Sequence, residues 1–504
     1  MNRRKAASLL LSLAALALAS CSGLPKSSGG GSGGNSAVSF SLVADTLPAN
    51  PSILAFQVSI NGIQIKPTTG SALTLTPVPP VIDLMRLESD TAFLGTFSKV
   101  PAGTYTVQVS LSNPIITFLN DTGSTLTAGS KTCASGSVCT AALTSAGNPT
   151  IASFTLPVTA ATNQGVRLDF NLNSAISLAG GTLAVTFSPA SPAPGVLSAS
   201  TLPRQNANLG SHQLELIEDF TGVVSLNSNN VTVTSPTRGA LTFLGGSTSI
   251  FDTSPDGTMC QTPASFSCVV EGQVGSVDAF LNVDGTLSLK EYEPLTSTEE
   301  DLVEGTVYAV TPASGNQFGI VVTDRIQRAA GSLIGGLNVG DLLTVNIPSP
   351  NPFFVDTKGL PVSSFAPGTF ANFSGQTNTS AIHQGQNVLI HVTAFTAASG
   401  TTIASATADT VTLRWSRVAS SVRAASSPTF TIVGLPSYFG FAPSSLFGVE
   451  TFTGTAGDVT NFDGIADANS LTPSVPPVEL RALFLENTTN SANPVFFAAK
   501  VRQH

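Results

Sequence analysis

Charge is scarce in this chain. Asp, Glu, Lys and Arg make up 10% of its 504 residues, less than half of the roughly 25% usual in soluble domains. Its surface must draw on Ser, Thr, Asn and Gly, as exported β proteins commonly do, and few ionisable groups remain for catalysis. Large polar aromatics are scarcer still, with four Tyr and one Trp. That counts against a carbohydrate site, which relies on several exposed rings. The net charge of −9 argues against nucleic acid or an anionic lipid surface as partner. Histidine occurs four times, at His212, His383, His391 and His504, and never as H-E-x-x-H. No window after residue 37 carries a long, capped helical pattern, and the apolar stretch at residues 9–19 is too short to cross a bilayer.

The N-terminus reads as an export signal: basic Arg3, Arg4 and Lys5, the apolar stretch, then small residues. Leu18-Ala19-Ser20-Cys21 resembles the lipobox of bacterial lipoproteins, which implies cleavage after Ser20 and acylation of Cys21. Two or three acyl chains, palmitate among them, bury enough CH₂ groups for stable attachment, whereas one chain binds only marginally. A membrane is therefore an expected partner. Ser22 rather than Asp follows the cysteine, and the sorting rule of Gram-negative lipoproteins then implies the cell outer membrane. Residues 22–36, rich in Gly and Ser, form a flexible tether. Matches to G-x-S-x-G and G-x-G-x-x-G inside it lie in no strand-to-helix turn and carry no chemistry. Loss of residues 1–20 leaves 484 residues and a net charge of −12, enough chain for about three to five domains.

The remaining four cysteines form two close pairs, Cys133/Cys139 and Cys260/Cys268, in turn-rich segments. No histidine lies near either pair and the spacings are not those of zinc sites. In an exported chain the expectation is two local disulfides, each worth roughly 2–3 kcal/mol of loop entropy.

Past the tether, apolar and polar residues alternate with a period of two, as in Val38-Phe40-Leu42, Val166-Leu168-Phe170-Leu172, Val388-Ile390-Val392 and Val411-Leu413-Trp415. Clusters of Gly, Pro, Asn and Asp separate these runs, so the class is all-β. The expected organisation is signal peptide 1–20, tether 21–36, β-sandwich 37–190, Pro-rich linker 191–210, and small β-barrel repeats at 211–298 and 299–424, with a candidate third at 425–504. The turn Val100-Pro101-Ala102-Gly103-Thr104-Tyr105 resembles an element of prealbumin-like sandwiches. Together with Phe40–Asp45, Ile82-Asp83-Leu84 and Arg167-Leu168-Asp169-Phe170 it resembles an uncharacterised β-domain family of exported lipoproteins, although Asp45 is followed by Thr46-Leu47-Pro48 where that family has Ala-Pro. The repeats open at Phe220-Thr221-Gly222 and Val303-Glu304-Gly305 and contain Phe251, Phe353 and Phe452. They resemble a second uncharacterised family, which implies small barrels similar to the OB-fold. Their glycines imply strongly coiled strands.

Chemistry is thinly signposted. His383 and His391 flank one expected strand and offer a shared metal site, though surface histidines are the plainer reading. Glu291, Glu293, Glu299, Glu300, Asp301 and Glu304 read as a solvated linker between repeats rather than a glycosidase pair. Trp415 reads as core. The segment at residues 458–469 places Asn461, Asp463 and Asp467 around Gly464, a spacing that supplies oxygen ligands for calcium. It resembles the calcium loops of thrombospondin-type and EF-hand-type segments but departs from the EF-hand at Val459 and Ser470, and an Asx-rich turn uses the same residues. The functional expectation is a non-enzymatic envelope lipoprotein that binds, adheres or scaffolds through an envelope glycan or protein. The alternative is a hydrolase or calcium-dependent glycan-binding protein with a site between domains.

Overall fold

The structure is a computed structural model that describes residues 34–45, 51–146, 150–187, 195–261, 264–311, 316–348, 350–361, 365–453, 459–473, 477–487 and 490–503. Cys21, its signal and most of the tether lie outside these residues, as do Asp458 and His504. The chain is all-β, and the longest α-helix among the described residues is the four-residue turn Leu172–Ala175, capped by Asn171 through a bond from the Ser174 N–H. No described helix is long and apolar enough to cross a membrane.

The first domain is a sandwich. Ser36–Asp45 lies at the centre of one sheet, parallel to Gln164–Asn171 and antiparallel to Ala92–Val100. Facing it, Ser52–Pro67 and Gly103–Leu119 anchor a second sheet. Phe40, Phe56, Phe118, Phe170 and Phe187 fill the core between the layers, with edge-to-face pairs such as Phe56–Phe170 at 6.4 Å. The alternation read from Ser36–Asp45 is present, but both of its faces are buried. Val38, Phe40 and Leu42 point into the sandwich core, while Ser39 and Ser41 are also inaccessible and Ser41 donates to Glu215 of the next domain. The sandwich also extends beyond residue 190. Leu197–Leu202, inside the expected linker, adds antiparallel to Gln164–Asn171 as an outer strand.

Three barrels of identical connectivity follow. In the first, Gln213–Asn227, Asn230–Ser235 and Gly239–Leu244 form a meander. Val274–Asn282 then pairs with the first strand, and Leu287–Thr296 closes the ring by lying parallel to the third. The short fourth strand, Ile250–Phe251, runs parallel to the sixth. The second barrel repeats this order from Leu302–Thr311 to Ala404–Arg414, and the third from Ser416–Ser426 to Asn490–Gln503. A five-stranded ring with parallel closure between its third and last strands is OB-like. The third barrel thus begins at Ser416 and not at the expected 425, its first strand lying largely within the segment expected for the second. Phe462 on its fourth strand, not Phe452, matches Phe251.

One residue explains the misplaced boundary. A Cβ on Gly222 would meet the Thr234 carbonyl oxygen, and one on Gly305 would lie 2.7 Å from the Val321 oxygen. The neighbouring strand comes that close because the first strand coils sharply there. The register places Ser420 at this position in the third barrel, and its Oγ donates to the Val433 carbonyl at 2.8 Å. Serine fills a place where the other repeats display glycine.

Both expected cysteine pairs come to disulfide distance, with Cα–Cα separations of 6.2 Å for Cys133–Cys139 and 5.0 Å for Cys260–Cys268. The second and third barrels share one apolar core, in which Leu483, Leu485 and Phe497 pack with Val388, Leu413 and Trp415.

Candidate functional site

The three residues of the expected calcium loop do not form one ligand set. The Asp463 carboxylate accepts from Arg167 Nη1 at 2.9 Å, Arg167 Nη2 at 2.8 Å and Arg502 Nε at 2.8 Å. Burial alone would raise its pKa, but Arg167, Arg502 and Lys500 outweigh burial and hold it far below the usual carboxylate range. Asn461 Oδ1 accepts from Asn206 at 2.8 Å. Asp467 Oδ1 accepts from the Ser470 N–H and Oγ, each at 3.0 Å, and caps the turn Ala468–Ser470. The loop is an Asx-type cap whose one strong carboxylate already faces two guanidinium groups.

The acidic run at 291–304 is not a solvated linker. Glu291, Glu293, Asp301 and Glu304 are all buried. Asp301 receives the Arg328 and Leu333 N–H groups at 3.0 and 2.7 Å and the Ser332 hydroxyl at 2.8 Å, which staples a loop of the second barrel. Glu291 takes Lys290 at 2.8 Å and the Gly359 N–H at 2.8 Å. His391 bridges Asp409 at 2.7 Å and Glu300 at 3.2 Å, whereas His383 lines a separate groove with Phe439 and Phe441. Among the described residues no three His, Cys, Asp or Glu side chains are placed to hold a metal. Trp415 is fully buried, with the Arg481 guanidinium 4.7 Å over its ring.

These buried acids belong to a larger feature that the strand pattern did not signal. The chain has 51 charged residues; among the described ones 22 are buried, and most meet where the sandwich and the three barrels join. Asp219 is the hub. Its carboxylate takes Arg86 of the sandwich at 2.9 Å, Arg417 of the third barrel at 2.6 Å, and Arg414 at the end of the second. Ser276 Oγ donates to it at 3.0 Å, and its own N–H donates to Asp278 at 2.7 Å. Around the hub, Glu218 takes Arg481 at 3.1 Å and Lys500 at 2.6 Å, and Lys358 reaches Asp278. Arg502 donates to the Leu87 and Glu88 carbonyls at 3.2 Å and to Thr91 Oγ1 at 2.9 Å, which ties the last strand of the chain to the sandwich.

Burial would raise the pKa of Asp219, but Arg414, Arg86, Lys358 and Arg417 hold it well below its usual range. Glu88 moves the other way, well up, through burial and the neighbouring Glu479 and Asp83. Removing one partner from such a network leaves a bare buried charge, which costs about 3–5 kcal/mol.

A sequence signal for part of this network did exist. The short fourth strand of each barrel is followed by or ends in an aspartate, at Asp252, Asp356 and Asp463. Asp356 pairs with Arg414 and Asp463 with Arg502 on the adjoining sixth strands, where the first barrel carries Glu293.

Above the hub lies a cleft of about 280 Å³ walled by three domains. The sandwich supplies Pro79, Val81 and Phe93, the first barrel Ile217, Phe220 and Leu241, and the second barrel Arg325 and Val339. Its floor carries Arg86, Asp90, Glu218 and Asp324, all members of the network. Arg238 lies 4.8 Å over the Phe220 ring and 3.1 Å from Asp324. A concave, largely apolar site with a few placed polar groups, at a domain junction, has the form of a small-molecule site.

No protein-family model matches the chain, and no curated protein matches its sequence.

Proposed function

We propose that this chain is a non-enzymatic lipoprotein of the cell envelope, held to the outer membrane through Cys21, that binds a small molecule in the cleft between its sandwich and first two barrels. One observation carries the reading: an apolar cleft formed by three domains rests directly on the charge network that joins them. The network acids at its floor are each already ion-paired and Asp83 beside them takes two backbone N–H groups, which supports binding over catalysis. Asp90 faces Arg86 and Arg417, Glu218 faces Arg481 and Lys500, and Asp324 faces Arg238. A general acid or base needs a proton position free to exchange with a substrate. The lipobox-like residues and the tether support the anchor, and the resemblance to lipoprotein β-domains supports the compartment.

The test has two arms. Radioactive palmitate is expected to label the chain and to fail on Cys21→Ala; label retained on the mutant removes the anchor from the proposal. In a thermal-shift screen of envelope small molecules, a ligand should raise the melting temperature of the wild type and not of Val81→Trp. Val81 is 41% exposed at the cleft wall, so the indole fills the opening without entering a core. Hits unaffected by Val81→Trp place binding elsewhere.

A further inference from the structure

Among the described residues, the cleft carries one cation that no carboxylate contacts. Asp90, Glu218 and Asp324 are paired within the network, as above. Asp83 accepts the Phe56 and Met85 N–H groups at 2.8 and 3.1 Å. Arg86 is bound to Asp90 and Asp219, and Arg238 to Asp324. Arg325 differs. Like Arg86 and Arg238 it has buried nitrogens with no hydrogen-bond partner, here Nε and Nη1, but unlike them it has, among the described residues, no carboxylate within ion-pair distance of its guanidinium. Burial lowers its pKa against the longer-range pull of Asp324 and Asp341. Arg325 is half-buried, and an anion seated beside its two buried nitrogens would supply the hydrogen bonds they lack. The walls opposite are apolar: Pro79, Phe93, Phe220 and Leu241.

On the reading that the cleft is a binding site, we infer that its ligand is an organic anion. The carboxylate is held by the Arg325 guanidinium, and an apolar or aromatic body lies against Phe93, Phe220 and Leu241. A bare inorganic anion would leave the apolar walls uncovered, and a neutral apolar molecule would leave Arg325 unpaired. The match of one cation to one apolar enclosure selects a monocarboxylate over a polyanion.

The test titrates the purified full chain calorimetrically with two probes of equal shape, 2-naphthoate and 2-naphthamide. Naphthoate is expected to bind at least tenfold more tightly. Arg325→Met should abolish that preference and Arg325→Lys should restore part of it, with melting temperatures checked for each variant. Val81→Trp should weaken both probes. Equal binding of the two probes to the wild type, or a preference that survives in folded Arg325→Met, overturns the anion assignment while the cleft stands. Should Arg325→Met not fold, the contrast between the probes on the wild type decides alone. Binding of neither probe overturns the cleft reading and this assignment together.

Discussion

Asp219 adopts φ +57, a left-handed backbone that costs a non-glycine residue energy, and it holds three guanidinium groups from three other domains. The strain persists because the surroundings over-determine it. Asp219→Asn keeps the shape and removes the charge, so the expected outcome is a loss of about 3–5 kcal/mol, read from a urea titration followed by Trp415 fluorescence. Asp463 gives a sharper contrast with the calcium expectation. Millimolar calcium or a chelator should leave the unfolding midpoint of the wild type unchanged, whereas Asp463→Asn should lower it by exposing Arg167 and Arg502 to an uncompensated interior. A calcium-dependent midpoint would show that these acids do gather an ion.

Asp83 yields a pH dependence with a definite sign. Burial lifts its pKa to about 6 against the pull of its two amide donors and of Arg86. The folded state therefore holds this proton more tightly than the unfolded chain, whose carboxyl titrates near 4. Its contribution is fully present below about pH 4 and is lost as pH rises through about 6. Asn at this position can still accept both N–H groups and carries no charge. Asp83→Asn should match the wild type below about pH 4 and exceed its stability by about 1–3 kcal/mol at pH 7.5; a difference flat with pH would refute the assignment.

At the scale of strands, the barrels depend on a close crossing at one position of the first strand. Gly222→Ala and Gly305→Ala force a methyl group against a backbone carbonyl, and a loss of about 1–3 kcal/mol is expected for each. Ser420→Ala removes only the hydroxyl that bonds Val433, so a smaller loss of about 0.5–1.5 kcal/mol should follow. Denaturant midpoints of the three variants order these effects. Equal losses at all three would mean that the position is not equivalent between barrels.

Across the whole molecule, the domains are joined by charges that none of them could bury alone. Arg481, Lys500 and Arg502 of the third barrel face partners in the first barrel and the sandwich. A fragment of residues 416–504 should therefore be insoluble or unfolded by circular dichroism, and co-expression with residues 1–415 should recover folded material. The full chain should resist 1 M salt, because buried pairs are screened far less than exposed ones. A stable isolated third barrel would show that the network is dispensable to folding.

Period-two alternation was enough to establish the all-β class, since it depends only on successive side chains of one strand pointing to opposite faces. The two cysteine pairs were legible for a similar local reason, because loops of six and eight residues leave their ends close together. The same alternation names the polar face of a strand and says nothing of what lies against it. Ser39, Ser41 and Arg167 look like solvent-facing residues in the sequence, and so do Glu291 and Glu293. Whether such a face meets water or the polar face of another domain is decided by residues far along the chain, as Arg167 finds Asp463 across 296 positions. The hub, the cleft and the unpaired Arg325 come from that long-range packing, which brings together side chains that no local spacing relates.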